Sequence, residues 1–212
     1  MEVIILFRIF APENEMMKMN TASKLIQALN YIANSQQGKS VGFMKAYKLL
    51  WLIDRYSLRH YARTVSGDQY FAMKFGPVPT DAKHILEGIP TNMEMLDSEL
   101  EQYISINEER HIYKSIKAPE MGVFSVSDIK AMDLILQKYG SMRSTDLSTM
   151  SHKFPEWKAY ERRLVNTDKK DSYPIKPCLF FEVYDDGKGV FNEDPKLLEM
   201  AKEMYNEYNS LV

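Results

Sequence analysis

The sequence predicts a helix-dominated α+β domain, built around one buried central helix and carrying a small antiparallel β-hairpin. Three observations point there. From Phe43 to Tyr61 there is no Gly or Pro, and Phe43, Met44, Ala46, Tyr47, Leu49, Leu50, Trp51, Ile53 and Leu58 cover most of a helix circumference, so other elements must surround it. The runs Tyr103–Ile106 and His111–Ile116 flank Asn107-Glu108-Glu109-Arg110, the pattern of a hairpin with a four-residue turn. Over 212 residues, 45% hydrophobic and 26% charged content suits a single domain able to fold alone.

Taken in order, Val3–Phe10 is apolar but short, contains Arg8 and lacks the basic start and small-residue cleavage site of an export signal. It reads as upstream translation before a start at Met16, Met17 or Met19, or else as a β-prone arm. Asn20 or Thr21 is the expected cap of a helix with the stripe Ala22, Leu25, Ile26, Leu29, Ile32 and Ala33. The loop Gln36–Ser40 then leads into the central helix, which is expected to pack antiparallel to the first. On that central helix Lys45, Lys48, Asp54, Arg55, Ser57 and Arg59 form a narrow polar strip that reaches solvent or pairs inside.

Ser66-Gly67-Asp68 signals a turn, Tyr70–Phe75 an extended run, and Gly76-Pro77-Val78-Pro79 a stiff corner entering a helix at Pro79 or Thr80 with Ala82, Ile85 and Leu86. Gly88–Thr91 ends that helix, and Met93–Glu101 is helical and polar. The hairpin follows, gaining a third strand from Tyr70–Lys74 or leaning on the helices. Ser125 and Asp128 resemble a capping box for a helix through Ile129, Met132, Ile135, Leu136 and Tyr139, ended by Gly140. Arg143–Met150 is a short helix, and Pro155 starts another bearing Trp157 and Tyr160. Asn166–Asp171 is a charged loop, and Cys178–Tyr184 is a strand or a chain laid over the core. Asp194 and Pro195 open a last helix with Leu197, Leu198, Ala201, Met204, Tyr205 and Tyr208 on its apolar side.

A resemblance now enters. The central helix with Lys45, Lys48, Leu49, Leu50 and Trp51, followed by Gly67, Asp68, Tyr70, Ala72, Lys74, Gly76, Pro77, Val78 and Pro79, looks like the Panacea domain family, also described as SocA-like antitoxins or phage-associated proteins. Leu147–His152 and Pro155-Glu156-Trp157 resemble the family's later signature. Trp51 stands where the family usually has Tyr. The resemblance implies a bacterial or phage antitoxin that binds its cognate toxin directly. In the SocA-like branch it also implies a proteolytic adaptor that hands the toxin to a ClpXP-type protease. Its motif positions Lys45, Lys48, Leu49, Leu50, Trp51, Asp54, Gly67, Asp68, Gly76, Pro77, Val78, Pro79, His152 and Trp157 are expected to be core or partner-binding residues.

Read without the family, the chain offers little chemistry. Asp54, Ser57 and His60 share a helix face, but a triad draws its members from separate elements, so pairing of this strip with Arg55, Arg59 or Arg63 is the expectation. His152 is read as bonding a backbone carbonyl at the short-helix junction, with a cryptic hydrolase as the outside alternative. No histidine has an i+4 His or Cys companion, the single Cys178 excludes a multi-cysteine site, and no cofactor or metal is expected. The bend Gly76–Pro79 lacks a phosphate-cradle pattern and reads as scaffolding, or as a rigid ridge shown to a partner. Lys45, Lys48, Arg55, Arg59 and Arg63 read as a solvated basic face, or as one that meets an acidic partner. A net charge of −2 disfavours nucleic acid as the main partner, although the helices from Ser125 to Tyr160, with Arg143, Lys153, Lys158, Arg162 and Arg163 to contact phosphates, keep a DNA-binding regulator as the second hypothesis. The expected organisation is an extension at 1–18, a Panacea-like helical domain at 19–165 and a C-terminal segment at 166–212 packed on it, in a cytoplasmic protein with no membrane contact.

Overall fold

The computed structural model describes residues 13–89, 94–165 and 172–210; the segment Val3–Phe10, the stop after Ile89 and the loop 166–171 lie outside them. Helix α1 runs from Glu13 to Asn34 and buries Leu25, Ile26, Ala28, Leu29, Ile32 and Ala33. The expected cap at Asn20 or Thr21 is corrected: both lie inside the helix, because the preceding Glu, Met and Lys residues favour helical backbone. A 3₁₀ turn, Gln37–Lys39, and strand β1, Ser40–Gly42, lead into α2, Phe43–Tyr61, with the boundaries the sequence predicts. Fourteen of its nineteen residues are buried, so α2 is enclosed rather than laid on a surface. It stops where Ala62 turns left-handed at φ 54° and returns its N–H to Leu58 O at 3.0 Å.

The hairpin forms as β4, Ile104–Asn107, and β5, Ile112–Ser115, but its third strand is β1, giving the order β1-β5-β4 with Val41 opposite Tyr113. The expected contribution of Tyr70–Lys74 is corrected. That segment is β2, Tyr70–Met73, which pairs with β3, Gly76–Pro79, and with β6, Tyr173–Pro174, in a second sheet of order β3-β2-β6. Three residues, the last of them a glycine, are too few to show a strand alternation, which hides β1 in the sequence. The prolines of β3 are tolerated because β3 is an edge strand and needs no outward donor.

Helix α3, Thr80–Leu86, follows β3 directly. Helix α4, Glu94–Tyr103, docks on α1 where Ser23 and Gln27 donate to Glu99. Helix α5, Val126–Tyr139, opens on the capping box of Ser125 and Asp128. Asp128 also pairs with Lys24 of α1 and Arg63 beyond α2, each at 2.8 Å, so one carboxylate joins three elements. Three short helices follow: α6, Ser144–Ser151, α7, Pro155–Lys158, and α8, Glu161–Val165, with Pro155 in the first turn of α7. The apolar run beginning at Cys178 lies over the core as a 3₁₀ turn, Pro177–Phe181, with Phe180 and Phe181 buried.

Helix α9, Pro195–Ser210, buries only Leu198 and Ala201 and rests Tyr205 against Phe181 at 5.7 Å between ring centroids. The expected burial of Leu197, Met204 and Tyr208 is corrected. They stay 59, 59 and 63% exposed because this outer helix meets the body along a strip narrower than its apolar face. Among the described residues no helix is long and apolar enough to cross a membrane. Burial thus separates two leucines of similar sequence appearance. Leu50→Ala should lose about 2–5 kcal/mol of unfolding free energy in urea titration, and Leu197→Ala about 0.5 kcal/mol or less.

Candidate functional site

The residues of both family signatures converge on the β2–β3 hairpin and the face of α2 beneath it. Lys48 is fully buried and donates to Pro77 O at 2.7 Å, with no ion-pair partner among the described residues. Burial lowers its amine to about 7. Gly76 bends at φ +105°, a conformation L side chains rarely adopt. A Cβ there would run into Ser151 Oγ and sit 2.8 Å from Lys48 Cε. The glycine is required by backbone and by space together, and Pro77, Val78 and Pro79 continue as a wholly buried strand.

The second signature grips the tip of the same hairpin, residue after residue. Trp157 Nε1 donates to Met73 O and Ser148 Oγ to Phe75 O, each at 2.8 Å. His152 interacts with the Lys74 backbone and stacks on Trp157 with ring centroids 3.9 Å apart. The backbone partner expected for His152 therefore belongs to the hairpin rather than to the helix junction. Burial, and then the nearby Lys48 charge, lower its pKa, so the ring favours the neutral form. Phe75 at the tip is 56% exposed.

Under the hairpin, Leu49, Leu50 and Trp51 are fully buried, and Trp51 meets Phe154 edge-to-face at 4.8 Å. Gly67, at φ +73°, lies so close to Thr21 that a side chain would collide with its methyl. Asp68 accepts from the N–H groups of Asp81 at 3.0 Å and Ala82 at 2.8 Å, holding the start of α3. Burial raises its carboxyl to about 7 against the pull of those two donors.

The expectation for the charged strip of α2 is corrected in two respects. Asp54 pairs with no arginine: it accepts from the N–H groups of Val65 and Ser66, from Ser66 Oγ and from Tyr70 OH, gathering the loop that follows its own helix. Burial raises its pKa, and these four donors oppose that. Nor is the basic stripe a solvated face. Lys45 is half-buried, while Lys48, Arg55 and Arg59 are buried. Arg55 pairs with Glu156 at 2.6 Å, both side chains fully enclosed, beneath the rings of Phe154 and Phe191. Arg59 forks onto Glu193 at 3.0 and 2.6 Å and donates to the carbonyls of Phe180 and Glu182. Asp54, Ser57 and His60 do not assemble, since His60 stacks on Tyr56 and faces Glu193. Glu156 and Glu193 went unrecognised as partners because they lie 101 and 134 positions from their arginines, and no local spacing reports such a pair.

Chemically, this region is an enclosed clamp. Its side chains hold backbone carbonyls and N–H groups, and among the described residues no group of three or more His, Cys, Asp or Glu gathers to hold a metal. Two outcomes follow. The Lys48 pKa, about 7 folded against 10.5 unfolded, imposes a burial cost that is complete below pH 7, shrinks as pH rises and vanishes above 10.5. The stability of the wild type relative to Lys48→Met should therefore rise between pH 7 and pH 10, by up to about 1.4 kcal/mol per pH unit, when melts are compared across that range. Gly76→Ala should lose about 1–3 kcal/mol or more in thermal unfolding, since strain and collision add.

The family model described as antitoxin SocA-like, Panacea domain, matches residues 47–158, more than half of the chain. No curated protein and no solved structure matches. The match begins inside α2 and ends at the last residue of α7, spanning the enclosed helix, the glycine-proline hairpin and the helices that grip it. The protein belongs to the SocA-like antitoxin family defined by the Panacea domain.

Proposed function

We propose that the chain is a protein-binding antitoxin that neutralises a cognate toxin by direct contact, without catalysis. One observation carries this reading beyond family membership: five polar side chains of the motif stretches are directed at the protein's own backbone. Lys48 holds Pro77, Asp68 holds α3, Trp157 and Ser148 hold Met73 and Phe75, and Asp54 holds the 65–70 loop. Groups used in this way build a rigid scaffold, and a scaffold acts through the surface it presents. Transfer of the captured toxin to a ClpXP-type protease is the extension of this reading that the SocA-like branch suggests. A DNA-binding role draws less support. Arg143 pairs with Asp146 and Lys158 with Glu161, which leaves fewer free cations for phosphates along that stretch.

The test is co-expression with the small reading frame adjacent in the genome. That frame alone should arrest growth, the chain should restore growth, and the two products should co-purify at a fixed ratio. The toxin's half-life, followed with and without the protease, tests the adaptor step. Undiminished toxicity in the presence of soluble chain overturns the reading.

A further inference from the structure

A groove of about 540 Å³ opens between α1, α3, α4 and strand β4, on a part of the surface that supplies none of the motif contacts above. Its floor is apolar, with Ile26, Leu100 and Ile104 at the base. Ile89 and Ile116 stand at the rim, 39 and 54% exposed. Among the described residues, the charged ones lining it are Asp97, Glu101 and Glu108, all acidic and all exposed.

One wall is an open sheet edge. In the order β1-β5-β4, strand β4 has a neighbour on one side only among the described residues. Ile116 N–H donates to Tyr103 O, and Phe43 N–H donates to His111 O on the opposite side of β5. With the registers Ser105 opposite Lys114 and Val41 opposite Tyr113, the antiparallel alternation assigns the backbone groups of Ser105 and Asn107 to β5. The backbone groups of Ile104 and Ile106 therefore point away from β5, where the N–H of Ile104 closes the last turn of α4 and the C=O of Ile104 with both groups of Ile106 form the edge. An unpaired edge beside an apolar trough is the arrangement by which an extended chain adds itself as a further strand.

We infer that this groove receives an extended segment of the partner protein that pairs with β4, places alternate apolar side chains on the isoleucine floor and sets lysine or arginine against Asp97, Glu101 and Glu108. The charge of the rim selects a basic segment over an acidic one, and the two outward residues of β4 select an extended backbone over a helix. That the partner is the toxin rests on the function proposed above; that the groove takes a basic extended chain does not.

The test has two arms. In the first, a labelled peptide of about six residues alternating lysine and valine is titrated with the protein by fluorescence anisotropy. It is compared with the same peptide N-methylated at alternate residues and with a glutamate–valine counterpart. The lysine peptide should bind, alternate N-methylation should weaken it about tenfold or more, and Asp97→Lys with Glu101→Lys should weaken it to a similar extent. Absence of binding, indifference to N-methylation, as a cationic amphiphile lying in the trough would show, or equal binding of the glutamate peptide overturns the inference. In the second arm, the same double variant, with unchanged circular dichroism and melting temperature, should no longer rescue growth where the wild type does. Rescue by the double variant overturns the groove as the toxin site and leaves the antitoxin reading standing. Failure of the wild type to rescue overturns that reading, while the peptide arm still decides the groove.

Discussion

A helix enclosed on nearly every side that nevertheless carries a lysine, two arginines and an aspartate imposes one constraint on everything around it: each of those groups must be met inside. Leaving a buried charge or donor unmatched costs several kcal/mol, a large share of the net stability of a domain. Each group of α2 is answered by a different element. Lys48 takes a carbonyl of β3, Asp54 the loop before β2, Arg55 the glutamate of α7, and Arg59 the segment that precedes α9. The apolar faces of these elements would pack in several ways. The charges narrow that choice, because each of the four groups takes at least one partner within about 3 Å, while the two terminal nitrogens of Arg55 make no hydrogen bond and the guanidinium lies against the rings of Phe154 and Phe191.

The hairpin of β2 and β3 is held from both sides by this logic. Lysine from below and serine, histidine and tryptophan from the flank reach the backbone of four of its five residues from 73 to 77, Met73, Lys74, Phe75 and Pro77. Only glycine fits at 76, between the lysine stem and Ser151. Two stretches of sequence some seventy residues apart thus form one joint, and both fall inside the residues that the family model matches.

Much of this was legible in the sequence. The span of α2, the glycine-proline bend, the β4–β5 hairpin and the Ser125 cap rest on local signals: periodicity, φ restriction and capping chemistry. Pairings across long separations were not legible. Nothing local says that Arg55 belongs with Glu156 or Arg59 with Glu193, and a run of cations at helical spacing reads as solvated until its neighbours are known. Strand β1 was hidden by its length, and the outer shoulder of α9 by an apolar face wider than the strip it buries. Lys48, His152 and Trp157 were visible as motif residues, but their work on backbone atoms of the hairpin carries no signature in side-chain type.

The fork of Arg59 onto Glu193, with two further carbonyls from the Phe180–Glu182 stretch, has an evolutionary corollary. These partners lie beyond residues 47–158, the stretch that the family model matches, so that stretch contains a cation whose counter-charge comes from elsewhere in the chain. Relatives that carry a different tail, or none, should have lost the arginine at this position in the same lineage, and the two features should be inherited as a pair.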